Sequence, residues 1–366
     1  MKVVIRSDSS LQIGSGHVMR CLTLADELRQ RGDTILFICR EHPGNLIGLV
    51  EGKGYPVKRL PIEHVAKPEE TVHSEWLGTS WEQDAAVTIA VVGGTNPQWL
   101  IVDHYALDRR WEEKFRTYVN RIMVIDDLAD RPHDCDLLLD QNLYKNMESR
   151  YYDLVPVNCK KLLGPKYALL RPEFIEARRN LRERDGRVRH MLIFFGGSDP
   201  TNETAKALEA FRSLNRQEIA VDVVVGSLNV RWEEIKSLCT SMRNTIFHRQ
   251  ISNMAELMVL ADLAIGAGGG TTWERCAVGL PSIVLTIAEN QEATTAVVAR
   301  TGVLWYLGRS TNVTIEHLAK AIRRALNNPL MLKEMSEKAA RKMGSEIFTG
   351  NSLLLNEIWG NDNVSS

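Results

Sequence analysis

The sequence has little net charge, no long apolar run and no signal-like start. Its 366 residues include 45 lysines and arginines against 46 acidic residues, for a formal net charge of −1. A chain so evenly charged has no global field that would attract nucleic acid or an anionic membrane. No apolar stretch approaches the ~18 residues that cross a bilayer, and Met1 runs directly into strand-like residues. We expect a cytoplasmic protein with small-molecule partners, no nucleic acid and no stable membrane insertion.

The spacing of cysteines and histidines also lacks the patterns typical of redox and metal sites. The six cysteines include no C-x-x-C pair, and several lie in apolar stretches where a thiol packs as a small hydrophobe. We expect all six to be reduced and non-catalytic. The nine histidines show no H-x-x-x-H spacing, and a loop before a strand explains the cluster at residues 133–136 better than a metal does. The sequence therefore predicts no metal and no cofactor.

What the sequence does contain is two series of apolar strands that alternate with helical patterns. This alternation is typical of βαβ units with parallel sheets. It predicts an α/β, GT-B-like fold: two Rossmann-like, doubly wound domains that face a cleft. We place the first domain at 1–175, the second at 186–345, and a C-terminal helix that packs back on the first domain at 346–366. The predicted strands are 3–5, 34–38, 99–102, 122–125 and 136–139, then 190–195, 220–225, 245–248, 263–265, 282–285 and 303–306.

The first glycine loop, which contains Gly14, Ser15 and Gly16, is followed by His17 and a helical stripe of apolar residues. Glycines let a ligand approach the backbone, and the free N–H groups of a helix start attract anions. The loop is not a dinucleotide fingerprint, because the third glycine is missing and no acidic residue ends the second strand. Since the helix dipole disfavours imidazolium, we interpret His17 as a general base, although a capping or phosphate-binding role also fits.

Two further glycine loops follow strands in the second half. Gly196, Gly197 and Ser198 precede Asp199, which is placed to cap the next helix and also to face a ligand. The other loop is a stronger signal, because three consecutive glycines with two hydroxyls form a nest for phosphate oxygens. Glu274, one turn into the following helix, is either a dipole partner or a ligand for a ribose diol. The residues of this nest are Gly268, Gly269, Gly270, Thr271 and Thr272.

In this order and spacing the three loops resemble the GT-B superfamily, in particular the UDP-N-acetylglucosamine transferase of peptidoglycan synthesis. Within it the sequence is similar to the hydrolase family of pseudaminic acid biosynthesis, which acts in flagellin glycosylation. The segments that carry this resemblance extend over nearly the whole chain; they are 6–8, 13–21, 102–105, 125–131, 139–142, 195–200 and 274–281.

The resemblance implies hydrolysis of UDP-2,4-diacetamido-2,4,6-trideoxy-β-L-altropyranose to the free sugar and UDP, in possible association with other pathway enzymes. His17 would lie near the anomeric carbon and activate water for inverting, metal-independent attack. One base suffices because UDP is a good leaving group, unlike an alkoxide. Glu274 would bind the ribose and Ile251 the uracil. The other implied substrate-binding residues are Asp8, Arg20, Tyr105, Asp126, Asn142, Met254, Asn290 and Gln291.

Two alternatives remain open at this point. A glycosyltransferase would use the same UDP site and pass the sugar to an acceptor. The window 43–65, which combines apolar and basic residues, fits a lipid-accepting surface but also an ordinary buried helix and turn. The other alternative is a nucleotide-sugar binding protein without catalysis.

Overall fold

The computed structural model describes residues 1–62, 73–342 and 350–360, and these form two compact units. The first unit comprises Met1–Asn142, Asn146–Leu169 and the C-terminal segment from Asn351. The second comprises Leu143–Lys145 and Leu170–Gly350. Within the described residues no helix is long and apolar enough to cross a membrane.

The first unit is built on a seven-stranded sheet whose described strands are all parallel, in the order β3-β2-β1-β4-β5-β6-β7. Its central strand β4 is buried along its whole length and β1 at every residue but Lys2, as expected where helices cover both faces of a parallel sheet. The strands are β1 (Lys2–Ser7), β2 (Thr34–Arg40), β3 (Val57–Leu60), β4 (Trp99–Asp103), β5 (Arg121–Ile125), β6 (Leu137–Asp140) and β7 (Lys160–Leu163). The helices are α1 (Gly16–Gln30), α2 (Ile47–Gly52), α3 (Trp81–Val92) and α4 (Arg109–Glu112), with 3₁₀ turns at Ser74–Leu77, Glu113–Phe115, Met147–Ser149 and Pro165–Tyr167.

The second unit has six described strands, again all parallel, in the order β10-β9-β8-β11-β12-β13. The strands are β8 (His190–Phe194), β9 (Ala220–Val225), β10 (Thr245–Arg249), β11 (Leu263–Ala267), β12 (Ser282–Thr286) and β13 (Trp305–Arg309). The helices are α5 (Pro172–Arg179), α6 (Glu203–Arg212), α7 (Trp232–Thr240), α8 (Met254–Leu260), α9 (Thr271–Ala277), α10 (Asn290–Arg300), α11 (Ile315–Leu326) and α12 (Pro329–Lys342).

These two sheets confirm the predicted fold class, and each predicted strand series is present. The sequence analysis missed β3 and β7, whose four-residue sequences contain two charged residues each. Both are edge strands, and their charged residues are exposed to solvent. The hydrophobic pattern that identifies a central strand is therefore absent. The last strand begins at Trp305 and not at Val303 as predicted.

The last described helix, α13 (Gly350–Trp359), belongs to the first unit. Leu354, Leu355 and Ile358 are buried, and the Ile358 carbonyl accepts a hydrogen bond from Nε1 of Trp99 at 2.9 Å. The rest of the predicted segment 346–366 lies outside the described residues, as do residues 63–65 of the window 43–65. In the described part of that window α2 is followed by β3.

Strand order reverses once in each sheet, between β1 and β4 and between β8 and β11. In doubly wound sheets, ligands bind in the crevice at the carboxyl ends of the strands at such a reversal. In the first unit these ends carry the loop 8–15 and residues 103–105. In the second unit they carry the loops 195–202 and 268–270. All three glycine loops therefore lie at a reversal.

Candidate functional site

The first loop is a compact turn that delivers His17 to the start of α1. Ser10 organises it: its Oγ accepts hydrogen bonds from the backbone N–H groups of Gln12 and Ile13, and its carbonyl accepts one from Gly14. Ser15 is the N-cap residue, but its side chain makes no capping bond, so the hydroxyl is not used to hold the helix. His17 follows on the first turn, 6% exposed.

His17 is paired with the carboxylate of Asp103. Nδ1 of the imidazole lies 2.5 Å from Oδ1 of Asp103, at the end of β4, where Asp103 is opposite Ser7 of β1. Burial raises the pKa of Asp103, but Arg20 and His17 lower it more, so its pKa falls well below the usual range. An ionised carboxylate only accepts hydrogen bonds, so Nδ1 carries the proton. Nε2 is then the nitrogen that can take a proton from water.

Arg20 holds that carboxylate from the other side. One turn along α1 from His17, its Nε and Nη2 donate to the two oxygens of Asp103, both at 2.6 Å. Its Nη1 also lies 3.7 Å from Asp127. The sequence predicts Arg20 as a substrate-binding residue; the structure shows its guanidinium engaged by two aspartates. This fork-like pair fixes the plane of the carboxylate and hence the direction of the His17 hydrogen bond.

Tyr105 and Asn142, both predicted site residues, meet at Asp127. The Tyr105 hydroxyl donates to Oδ1 of Asp127 at 2.5 Å, and Asn142 Nδ2 donates to Oδ2 at 2.8 Å. The Tyr105 ring meets His17 edge to face, with centroids 4.5 Å apart. His17 is thus held by a carboxylate on one side and an aromatic ring on another.

Asp8 lies in a buried charge network behind this pair. Its Oδ1 accepts from Arg6 Nη1 and from the Arg40 backbone N–H, both at 2.6 Å. Arg6 and Arg40 also bind Asp84. His104 faces the second oxygen of Asp8 at 3.3 Å. These contacts tie β1, β2 and α3 together, so the structure assigns to Asp8 a part in holding the carboxyl ends of the strands.

Asp126 and Asp140 lie at the ends of β5 and β6. Asp126 binds Arg131 at 2.9 Å and the Ala129 N–H, and although burial raises its pKa, Arg131 lowers it to about 2. Asp140, which the sequence analysis did not single out, shares the Tyr151 hydroxyl with Asp126. Burial, reinforced by Asp127, raises the pKa of Asp140 to about 7. One of these two carboxyls is therefore ionised and the other titrates near neutrality.

In the second unit, Asp199 is the residue that caps α6. Its two carboxylate oxygens accept hydrogen bonds from the N–H groups of Glu203 and Thr204 at 2.8 and 2.9 Å. The preceding turn contains Gly196, Gly197 and Ser198, none of them buried. The capping role considered from the sequence is therefore present, and it fixes the turn at the end of β8.

The glycines of these loops divide into two kinds. At Gly16, Gly196 and Gly270 an added Cβ would meet no atom of the described residues within 4 Å, so packing does not require a glycine there, although the positive φ of 90° at Gly196 does. At Gly268 an added Cβ would come within 2.3 Å of Thr295 Oγ1, so this glycine allows close packing of α10. Each loop therefore contains a glycine that internal packing does not require, so its backbone is left uncovered, as expected for a surface that faces a ligand.

Arg275, which the sequence analysis did not identify, braces the third loop. Its guanidinium donates to the Ala267 carbonyl at 2.9 Å and to the hydroxyls of Thr271 and Thr272 at 3.2 and 3.1 Å. Burial lowers the pKa of Arg275 to about 10. Since both hydroxyls are held by this cation, their oxygens have a fixed direction.

Glu274 is held by one oxygen only. Arg171 Nε donates to Oε1 at 2.8 Å, whereas Oε2 is buried and has no hydrogen-bond partner among the residues that the structure describes. A buried carboxylate oxygen without a donor is costly, so such an atom points to a ligand that supplies one. This favours the diol-binding interpretation over a mere partner for the helix dipole.

The remaining predicted residues flank this loop in the second unit. Ile251 follows β10 and packs against the core, and Met254 is buried at the start of α8. Gln291 Oε1 accepts from the Ile287 N–H, and its Nε2 lies 3.7 Å from where a Cβ on Gly269 would be. Asn290 begins α10.

Among the described residues, no group of three or more histidine, cysteine or acidic side chains is arranged to hold a metal. His133, in the cluster considered from the sequence, binds Glu112 Oε1 at 2.7 Å and joins α4 to the loop before β6. The six cysteines are buried thiols.

Comparison with known proteins places these sites in a recognised fold. MurG of Acinetobacter baumannii superposes with a TM-score of 0.64 at 15% identity, over 98% of this chain and 99% of that one. UGT89C1 of Arabidopsis thaliana gives 0.62 at 12% identity, over 98% and 99%. The chain has the GT-B fold. Residues 191–348, which contain the second and third glycine loops, match the glycosyltransferase family 28 C-terminal domain.

The resemblance stated from the sequence is also confirmed. This GT-B chain is 29% identical to the UDP-2,4-diacetamido-2,4,6-trideoxy-beta-L-altropyranose hydrolase of Campylobacter jejuni, over 82% of this chain and 97% of that protein. It is 26% identical to the spore coat polysaccharide biosynthesis protein SpsG of Bacillus subtilis, over 91% of each. An uncharacterized protein of Methanocaldococcus jannaschii is 26% identical over 78% of this chain, which spans about half (55%) of that relative.

Proposed function

We propose that this chain hydrolyses UDP-2,4-diacetamido-2,4,6-trideoxy-β-L-altropyranose to the free sugar and UDP. The observation that carries the proposal is the pair of His17 and Asp103 at the strand reversal of the first sheet. A buried carboxylate that fixes Nδ1 as the protonated nitrogen leaves Nε2 as a directed base, the arrangement used in hydrolytic dyads and triads. Similarity to the Campylobacter jejuni hydrolase supports the substrate.

In the proposed reaction His17 Nε2 takes a proton from water as the water oxygen bonds to the anomeric carbon. The bond between that carbon and the phosphate oxygen breaks, and UDP leaves with the electron pair, so the configuration inverts. General-base catalysis of this kind contributes about 10²- to 10⁴-fold. No second carboxylic acid is required, because UDP is a stable leaving group without protonation.

The second unit would hold the nucleotide. The unpartnered Oε2 of Glu274 supports acceptance of a hydrogen bond from the ribose diol. The bare backbone at Gly196 and Gly270, with the hydroxyls that Arg275 orients, supports binding of the diphosphate. Binding of the uracil by Ile251, the role of Met254 in substrate binding, the pathway association and the cytoplasmic location stay predictions.

The test is incubation of the purified chain with the UDP-sugar in H₂¹⁸O. The proposal expects UDP and free sugar without an acceptor, ¹⁸O on the anomeric carbon and none on UDP. His17→Gln should retain UDP binding and lose turnover by at least about 10²-fold. The control is His317→Gln, on the exposed face of α11. Label in the phosphate, or parental turnover in His17→Gln, would contradict the mechanism.

A second candidate is a UDP-sugar glycosyltransferase, favoured by the match of residues 191–348 to the glycosyltransferase family 28 C-terminal domain. In that case the same base would deprotonate an acceptor hydroxyl in place of water. Turnover that requires an added acceptor, with no free sugar formed in its absence, would support transfer over hydrolysis.

A further inference from the structure

Three aromatic side chains of the first unit form a cluster that contacts His17 through Tyr105, and we call His73, Trp76 and Tyr105 the aromatic wall. The Trp76 ring stacks on Tyr105, with centroids 5.7 Å apart and an interplanar angle of 27°. His73 contacts both, at 4.5 Å from Trp76 and 5.3 Å from Tyr105. The Tyr105 ring also contacts the His17 ring, with centroids 4.5 Å apart, so the aromatic wall touches the proposed base through Tyr105.

The 3₁₀ turn that carries Trp76 is anchored in the core of the first unit. Trp76 lies in the 3₁₀ turn Ser74–Leu77, and Leu77 is buried in the core cluster of the first unit. Gly78 follows with a left-handed φ of 68°, and a Cβ there would come within 2.8 Å of the His42 ring. Since Nε2 of His42 lies 3.6 Å from Oδ2 of Asp8, the turn packs against the buried charge network.

The aromatic wall presents an apolar surface, although His73 and Tyr105 carry polar atoms. Burial lowers the pKa of His73, so its ring is neutral near pH 7. The Tyr105 hydroxyl is engaged by Asp127. Trp76 is half-buried, so part of the largest ring faces solvent. A neutral aromatic face of this kind binds C–H and methyl groups in preference to hydroxyls.

We propose that Trp76 is a specificity-determining residue that packs against the methyl groups of the sugar. This inference rests on the proposed function, because a 2,4-diacetamido-2,4,6-trideoxy hexose carries a C6 methyl and two acetyl methyls. In UDP-N-acetylglucosamine C6 carries a hydroxyl group, and the sugar has only one acetyl group. Because His17 and Trp76 both contact Tyr105, we place the ring or an acyl group of the sugar beside Trp76 when its anomeric carbon lies at His17.

A purely structural role makes a different prediction. If Trp76 only stabilises the 3₁₀ turn, its loss disturbs Tyr105 and His17, so kcat falls for every UDP-sugar alike. If Trp76 contacts the methyl groups, its loss raises KM for the methyl-rich sugar and leaves UDP affinity unchanged. One methyl contact gives roughly 10- to 200-fold discrimination.

The experiment compares Trp76→Ala and Trp76→Phe with the parent on the diacetamido-trideoxy substrate and UDP-N-acetylglucosamine. We expect Trp76→Ala to raise KM for the first about 10- to 100-fold, with a smaller change in kcat, and Trp76→Phe to restore most of it. Trp232→Ala, a half-buried tryptophan of the second unit, is the matched control. Equal loss of kcat on both substrates, or unchanged KM, would overturn the inference.

Calorimetric binding in a His17→Gln background separates this inference from the proposed function. There both UDP-sugars and UDP alone can be titrated whether the chain is a hydrolase or a transferase. Preference for the methyl-rich sugar that disappears in His17→Gln/Trp76→Ala supports the role of Trp76 even if hydrolysis is absent. An equal preference in His17→Gln and in His17→Gln/Trp76→Ala refutes that role even if hydrolysis is observed.

Discussion

Nδ1 of His17 and Oδ1 of Asp103 lie 2.5 Å apart although 86 residues separate them in the chain. The contact selects one imidazole tautomer, so its removal should affect the chemical step more than substrate binding.

Replacing Asp103 with asparagine tests this selection. The amide can present an N–H to Nδ1 and so favour the wrong tautomer, with Nε2 protonated. We expect kcat to fall about 10²- to 10⁴-fold, with a much smaller change in KM, measured by UDP release. Asp153→Asn, an exposed position of the same unit, is the control. A variant with the parental kcat would mean that His17 does not depend on this carboxylate.

Glu274→Gln should weaken UDP binding. Glutamine keeps an acceptor for Arg171 but loses the charge that would take the ribose hydroxyl. We expect an affinity loss of about 10- to 100-fold, because hydrogen bonds to charged groups are worth about 1.5–3 kcal/mol. The parent should bind 2′-deoxy-UDP more weakly than UDP in calorimetry, and the variant should bind both alike. A variant that still prefers UDP would place the diol elsewhere; Glu334→Gln, on the exposed face of α12, is the control.

Arg184→Met should destabilise the second unit. Arg184 is 6% exposed and donates to five carbonyls, those of Met258, Val259 and Ala261 at the end of α8 and those of Val278 and Gly279 after α9. Burial lowers its pKa to about 10. Its loss removes a buried donor from all five carbonyls, of which Ala261 and Gly279 keep Arg182 and Ser336 as donors, at a cost of about 3 kcal/mol or more.

Thermal unfolding with and without UDP measures this loss. Arg179→Met is the matched control, since Arg179 is exposed and pairs with exposed Glu176, so its loss should change stability by less than about 1 kcal/mol. Equal melting temperatures for the two variants would show that the carbonyl contacts of Arg184 contribute little.

Asp140→Asn should change how stability depends on pH. The folded-state pKa of about 7 lies above the unfolded value of 3.8, so folding favours the protonated carboxyl. This stabilisation is complete below about pH 4 and is lost as pH rises through 7, by about 1.4 kcal/mol per pKa unit. The variant, neutral throughout, should lose less stability than the parent between pH 4 and 7 in urea titrations. Asp130→Asn, half-exposed, should follow the parent; a parental curve for Asp140→Asn would contradict the raised pKa.

The alternation of apolar strands with helices was enough to predict both parallel sheets, because buried strands leave a continuous hydrophobic pattern. The glycine loops were visible for a similar reason, since bare backbone at a strand end is a local property. Asp103 and Arg171 were not visible as partners, because their pairs join residues 86 and 103 positions apart. Only the three-dimensional arrangement brings those side chains together.

Arg184 shows a different limit of sequence interpretation. It lies in the strongly charged stretch 176–189, a pattern that by itself is typical of a solvated helix. The structure has α5 ending at Arg179, and Arg184 is buried where α8 and α9 end. Exposed carbonyls at helix ends attract a cation without any acidic partner. A count of acidic and basic residues does not take such backbone carbonyls into account.

Gly226, just after β9, is an inconspicuous loop residue, yet a Cβ on it would come within 2.3 Å of the Gly197 carbonyl oxygen and 2.4 Å of its Cα. Any side chain there must push the Gly197 turn away from its present course. In a saturation mutagenesis experiment, position 226 should therefore behave like a position of the nucleotide site, intolerant even of alanine. An engineer who wished to redesign that turn would have to redesign both segments together.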